Sequence, residues 1–261
     1  MTKGRGCMQI RKFLQTAYRA QHPVIKAGLT PFRSVFDSYE FYREIQNLLI
    51  PAAREIAAEA KAYPGDKIFI DCGFNDGRIL EAFLKELPSF KFYGFEVNEE
   101  YFKERALKLQ QRYPNIMNLH FKAVTNHGGS EKYFIAGKKN GRYQGLDTTI
   151  LPDFHQESIT DPASHEIPSI DFSCWLEETI AKHTTPDGIK PFVAVKMDIE
   201  GAEYAVLEEL VRNRTILLVN DLLVEFHTDQ FDQERRAEFE RREREIREDI
   251  ASTSVHLLDW V

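Results

Sequence analysis

The sequence predicts an α/β fold, a mostly parallel sheet with helices on both faces, preceded by an N-terminal helical extension. Three observations carry this. From residue 67 onward short apolar runs alternate with segments of helical periodicity. Those runs end in Gly-containing turns or in clustered carboxylates, the place where open α/β sheets bind ligands. The chain of 261 residues, 43% hydrophobic, is long enough to bury one full core.

The elements follow in order. Asp37 with Glu40 has the pattern of a capping box, opening a helix through about Ile50 with apolar Phe41, Ile45, Leu48 and Leu49. Pro51 suits the first turn of a second helix, "PAAREIAAEAKAY", and "PGD" at 64–66 is a turn. "KIFID" (67–71) is then a short buried strand, followed by the helix "RILEAFLKEL". "FKFYGFEV" (90–97) and "NLHFKAV" (118–124) are the next strands, separated by the helix "NEEYFKERALKLQQRY", and "EKYFIA" predicts a hairpin. A helix is expected over 169–183, a fourth buried strand in "PFVAVKMD" (191–198) and a helix in "GAEYAVLEEL". A fifth strand lies within "TILLVNDLLVEFH", a long charged helix covers 233–250, and a last strand falls in "SVHLLDWV". Residues 1–62 are thus a basic arm with a helical extension, and 63–261 the α/β domain with its charged C-terminal helix.

Charge narrows the partners. The net charge is −7, yet residues 1–36 hold seven Lys/Arg and no acid, leaving 27 basic against 41 acidic residues beyond them. Nucleic acid is therefore not an expected partner of the core. The arm suits docking on an acidic partner or surface, and a solvated extension is the simpler reading. In 233–250 the charges alternate in sign, with Glu238–Arg242, Glu240–Arg244 and Glu243–Arg247 four apart and a narrow stripe of Phe239, Ile246 and Ile250. That is a surface helix rather than a nucleic-acid patch. Cys7, Cys72 and Cys174 are odd in number and widely spaced, which suits a reducing compartment and a cytoplasmic location. No apolar run reaches the ~18 residues a membrane span needs.

Two stretches carry chemistry. In "FIDCGFNDGRIL" the strand ends at Asp71, and Gly73 and Gly77 bracket a tight turn into a helix, with Asn75 and Asp76 between them. The D-x-G-x-x-x-G spacing is not that of dinucleotide sites. Carboxylates at this turn repel a pyrophosphate but suit a ligand carrying an ammonium group. Glu96 ends the next strand, where an acid accepts ribose hydroxyls, and Ala123 and Val124 end the third, as neighbours of an adenine ring. Ribose, ammonium and positive charge together describe S-adenosyl-L-methionine. The competing reading leaves the glycines as turn formers and the acids as strand-end caps. The second stretch, "VAVKMDIEGAEYAVLEEL" (193–210), leads a buried strand into Lys196, Asp198, Glu200 and Glu203.

These segments resemble the FkbM-type methyltransferases, a branch of the class I S-adenosylmethionine-dependent enzymes. "FIDCGFNDG" is similar to the family's V-D-x-G-A-N-x-G motif, "YGFEVNEE" to its F-E-P-N motif, and "LLVEFH" to its closing strand motif. "KMDIEGAE" matches K-x-D-x-E-G-A-E at every fixed position. The resemblance spans roughly 66 to 228. Phe74, Asp76 and Val97 depart from the usual pattern, and one strand follows His227 where the class usually has two. The resemblance implies a Rossmann-like class I fold and an O-methyltransferase acting on a hydroxyl of a small molecule or sugar. Asp198, Glu225 and His227 are then the candidate catalytic groups, able to converge on an acceptor hydroxyl or to hold a divalent cation such as Mg²⁺ or Mn²⁺. Lys196 is expected to pair with a neighbouring carboxylate, and Glu203 to cap its helix. Segment 138–166 is expected to form the lid over the acceptor. Two rival functions stand beside this one. In an RNA 2′-O-methyltransferase Lys196 and Asp198 would serve deprotonation; a catalytically idle fold would use only its basic arm.

Overall fold

Strand β1 (Lys67–Cys72) is buried from Ile68 onward, and β8 (Phe192–Met197) along its whole length. Runs with no polar face fit only the middle of a sheet covered on both sides, and these two strands pair in parallel at the centre of one. The computed structural model describes residue 43 and residues 45–136, 147–152 and 159–259. The basic arm, residues 37–42 and 44 of the helix expected over 37–50, and residues 138–146 and 153–158 of the expected lid lie outside the described residues.

Six parallel strands make the main sheet, in the order β3 (Met117–Phe121), β2 (Lys91–Glu96), β1, β8, β9 (Asp221–Val224), β10 (His256–Asp259). The chain runs outward from β1 to β3 on one side and from β8 to β10 on the other. The order therefore reverses between β1 and β8, and a crevice opens there at the carboxyl ends of the strands. The resemblance left the closing edge open: β9 and β10 form it, both parallel.

A second sheet was only partly legible. Its order is β4 (Ala123–Thr125), β7 (Ile159–Asp171), β5 (Gly129–Ala136), β6 (Asp147–Thr149). The run expected as one strand over 118–124 divides at Lys122, whose backbone N–H donates to the Glu96 carbonyl at 3.0 Å. Beyond it β4 leaves the first sheet and pairs with β7. The helix expected from 169 begins instead at Phe172, because Ser169–Asp171 pair with β4 and Asp171 caps the helix, accepting from the Cys174 N–H at 3.0 Å. The fifth strand is shorter than its sequence run: Thr215–Leu218 form a 3-10 turn before it.

Helices α1 (Ile50–Glu59), α2 (Arg78–Glu86), α3 (Glu99–Arg112), α4 (Phe172–His183), α5 (Glu203–Arg212) and α6 (Gln233–Ala251) complete the described elements. Contacts divide the chain into Met1–Leu48 and Leu49–Val261. Helix α1, which the sequence reading placed in the extension, thus belongs with the α/β unit. It buries Ala53 and Ile56, and Arg54 donates to Glu86 of α2. Helix α6 buries the stripe Phe239, Ile246 and Ile250. Arg247 pairs with Glu243 as expected, whereas Arg242 reaches Glu208 of α5 at 2.6 Å. No helix among the described residues is long and apolar enough to cross a membrane.

The β1–β8 register sets Asp71 opposite Lys196. Both are fully buried, and Lys196 Nζ donates to Asp71 Oδ1 at 3.0 Å and to the Gly73 carbonyl at 3.1 Å. Burial pushes Asp71 up to about 6 against the pull of Lys196. Burial opposes the lysine's charge too, but Asp71 and Asp198 outweigh it and raise its pKa. The pair is therefore ionised at neutral pH. Removing one member leaves the other charge buried alone, at a cost of about 3–5 kcal/mol. Lys196→Met should lose that much in urea unfolding, and Asp71→Asn combined with Lys196→Met should regain part of it. A loss below ~1 kcal/mol for the single variant would show that this pair does not hold the strands together.

Candidate active site

A cleft lies at the ends of β1, β2 and β8, the place where open α/β sheets bind ligands. Phe95, Val97, Val124 and Ile150 give it apolar surface; Asn75, Glu96 and Thr148 are polar groups on its lining, with Asp198 and Glu200.

The turn after β1 is built by close approach. Gly73 has φ +85°, and a Cβ there would sit 1.7 Å from the Asp198 carbonyl oxygen. Only glycine lets the two strand ends touch in this way. Asn75, at φ +51°, is one of three described non-glycine residues in the left-handed region, a conformation that costs about 1–3 kcal/mol and must be held by its surroundings. What holds it is Glu96: the Asn75 N–H donates to Glu96 Oε2 at 2.8 Å, while the N–H groups of Val97 and Asn98 donate to Oε1, each at 2.9 Å. Burial raises Glu96 to about 7 despite these three donors. A carboxylate has about four acceptor positions, so one remains, on Oε2. Glu96, expected to take ribose hydroxyls, thus keeps one acceptor position for a ligand donor.

Three residues expected at the cofactor are placed elsewhere. Asp71 is sealed behind the turn on Lys196, so it cannot meet an ammonium group directly. The Asp76 carboxylate turns to Arg78 at 2.5 Å and Arg105 at 3.9 Å. Gly77 starts α2 at φ +76°, where a Cβ would strike the Leu109 side chain at 2.5 Å. It serves the packing of α3. Gly73, Asn75, Glu96, Ala123, Val124 and Asp198 do line the cleft.

Beyond β8 the chain does not stay extended: Glu200 has φ +51°, so strand parity no longer orients it. Asp198 and Glu200 nevertheless converge, because His227 lies between them. Its Nε2 is 3.6 Å from Asp198 Oδ1, 3.6 Å from Glu200 Oε2 and 3.9 Å from Glu225 Oε1. Its Nδ1 faces Glu203 Oε1 at 3.2 Å, and its backbone N–H donates to that oxygen at 3.1 Å. Glu203, expected as a helix cap, is fully buried and accepts from the Gly201 N–H at 2.8 Å through Oε2. Burial works against a positive His227, but Glu203, Glu200 and Asp198 prevail and hold it well above the usual imidazole range. Lys196 Nζ approaches Asp198 Oδ2 at 3.5 Å, so the other oxygen of Asp198 is the one turned to His227.

Sequence reasoning did not place Glu200, Lys122, Thr148 or Ile150 on the lining. Glu200 stood within the "KMDIEGAE" match, and its shared strand parity with Lys196 and Asp198 was the available signal. Thr148 and Ile150 come from β6 and the residues after it, whose pairing with β5 no local pattern announces. Thr149 anchors this stretch, its hydroxyl donating to the Glu200 carbonyl at 2.7 Å.

The FkbM methyltransferase domain model matches residues 71–250. Among solved structures, the plantazolicin methyltransferase BpumL, determined in complex with SAH, is 18% identical, over 44% of each chain, with a TM-score of 0.26. The matched part is less than half of that protein's length. No curated protein matches the chain. A family model covering more than half of the sequence settles the assignment: the chain belongs to the FkbM methyltransferase family.

Proposed function

We propose that the enzyme transfers a methyl group from S-adenosylmethionine to a hydroxyl oxygen of a small molecule or carbohydrate. The observation that carries this is the acidic side of the cleft, where Asp198 and Glu200 stand before the buried His227. The cofactor supplies a methyl group on a positively charged sulfur. The cleft suits it on two counts: the remaining acceptor position of Glu96 suits a ribose hydroxyl, and the lining carries Glu96, Asp198 and Glu200, with Lys122 the one basic member among the described residues. An alcohol must lose its proton as the new bond forms, and negative charge at Asp198 favours that loss. The apolar surface excludes water and aligns the acceptor.

The RNA 2′-O-methyltransferase reading is weaker. Lys196, which it would use, is fully buried and committed to Asp71. An idle scaffold is distinguished by calorimetry: it would give no heat on titration with S-adenosylmethionine.

Cofactor affinity should depend on the charge of Glu96. A ribose hydroxyl donates to the ionised form, so binding favours ionisation and must displace a proton held up to about 7. Affinity should accordingly fall by roughly tenfold per pH unit below that value. Glu96→Gln should weaken binding at pH 8 by ~1.5–3 kcal/mol, tenfold or more, and flatten the pH profile. Equal affinity at pH 6 and pH 8 in the parent would remove the ribose assignment.

Asp198 acts on the acceptor and not on the cofactor. Asp198→Asn should leave cofactor affinity within a few-fold of the parent and lower turnover by ~10²–10⁴. The readout is release of demethylated cofactor against a panel of hydroxylated small molecules and monosaccharides. Normal turnover in the asparagine variant would make this carboxylate structural.

A further inference from the structure

Two groups of metal-ligating side chains stand among the described residues, Glu55–Glu59–His256 and Asp198–Glu200–His227. In the first, the two glutamates face different ring nitrogens of His256, Glu55 Oε1 lying 3.7 Å from Nε2 and Glu59 Oε1 3.1 Å from Nδ1, so they do not share one nitrogen. The second is arranged differently. We propose that Asp198, Glu200 and His227 form a divalent-cation site in the wall of the cleft, with Glu203 holding the imidazole in place. Its role rests on the oxygen-methylation reading; its existence does not.

The separations point to a shared cation. Asp198 Oδ1 and Glu200 Oε2 are each 3.6 Å from His227 Nε2. That exceeds the ~2.7–3.2 Å of an N–H···O bond. Two donors about 2.1 Å from one cation, at angles of 90–120°, lie roughly 3.0–3.6 Å apart. All three donor atoms lie within 4.8 Å of one another.

The imidazole is also presented as a ligand. His227 is 5% exposed, and both its backbone N–H and its Nδ1 face one oxygen of the fully buried Glu203. A carboxylate on the far nitrogen fixes the tautomer and aims Nε2, the arrangement usual behind metal-binding histidines. Lys196 holds Asp198 by its other oxygen. Asp198 and Glu200 line the cleft while His227 sits behind them. A cation held by these three would keep coordination positions open toward the acceptor, where it would polarise a hydroxyl and ease its deprotonation. One imidazole with two carboxylates suits Mn²⁺, Fe²⁺ or Zn²⁺ better than Mg²⁺.

The test is Mn²⁺ binding to the full chain after chelator treatment, followed by electron paramagnetic resonance and calorimetry. Neither requires turnover or an acceptor. The parent should bind one Mn²⁺ tightly, and so should His256→Ala. Glu200→Gln and His227→Ala should lose at least ~10-fold in affinity, and Glu203→Gln, which keeps every ligand, ~10–100-fold. S-adenosylmethionine affinity should stay unchanged in His256→Ala, which lies outside the cleft. If His227→Ala fails to fold, the near-isosteric Glu200→Gln decides. The proposal is overturned if the parent binds no Mn²⁺, if binding survives in Glu200→Gln, or if it is lost in His256→Ala. A chelated parent that methylates hydroxyls but binds no Mn²⁺ sinks the site and keeps the function. Mn²⁺ bound at these residues without hydroxyl methylation does the reverse.

Discussion

A lysine buried at the end of a central strand is tolerated only where carboxylates meet it, since an unpaired charge there costs several kcal/mol. Lys196 imposes that constraint on the whole carboxyl end of the sheet. The parallel register supplies Asp71 from β1, the turn after β1 supplies the Gly73 carbonyl, and the chain after β8 returns Asp198. These contacts draw the turn so close to the strand end that no side chain fits at residue 73. The cleft opens where it does because both strand ends are pinned to one ammonium group.

The same economy governs the second carboxylate of the cleft. Glu96 is occupied chiefly by backbone, and its three N–H donors hold a left-handed Asn75 and the start of the segment after β2. Its capacity for a ligand is what remains after that task. Neutralising Glu96 would loosen the turn and also remove the acceptor position it keeps toward the cleft. Asp71 has only the first role, although the sequence offers no means of telling it from Glu96. Each ends a buried strand, and only the neighbouring lysine seals one of them off.

The parallel sheet was legible because buried central strands write themselves as unbroken apolar runs, and because Gly and carboxylates mark their ends. The second sheet was not, since β6 and β7 are polar and Pro-punctuated and gain their order from pairing with β5. The division at Lys122 follows from a backbone bond to Glu96, which no side-chain pattern encodes. For the site, residue types and spacing gave the right neighbourhood but not the direction of each side chain. Asp76 and Gly77 had the expected positions, and arginines in one case and Leu109 in the other took them away from the cleft. Asp198, Glu225 and His227 did converge, yet by a left-handed turn and an anchored imidazole, not by strand parity.

The stretch "KMDIEGAE" then reads as one device with separable parts. Lys196 fixes the strand end, and Asp198 divides its two oxygens between that lysine and His227. Glu200 turns left-handed to face the same imidazole, and its carbonyl receives the Thr149 hydroxyl from the second sheet. Gly201 gives its N–H to Glu203, Ala202 lines the cleft, and Glu203 reaches from the start of α5 to hold His227 by backbone and ring. Within eight residues, two carboxylates line the cleft and face His227, while the buried Glu203 is spent on orientation. That division requires one carboxylate to be fully buried and another to stay partly open, and a helix starting at Glu203 directly after a turn achieves both.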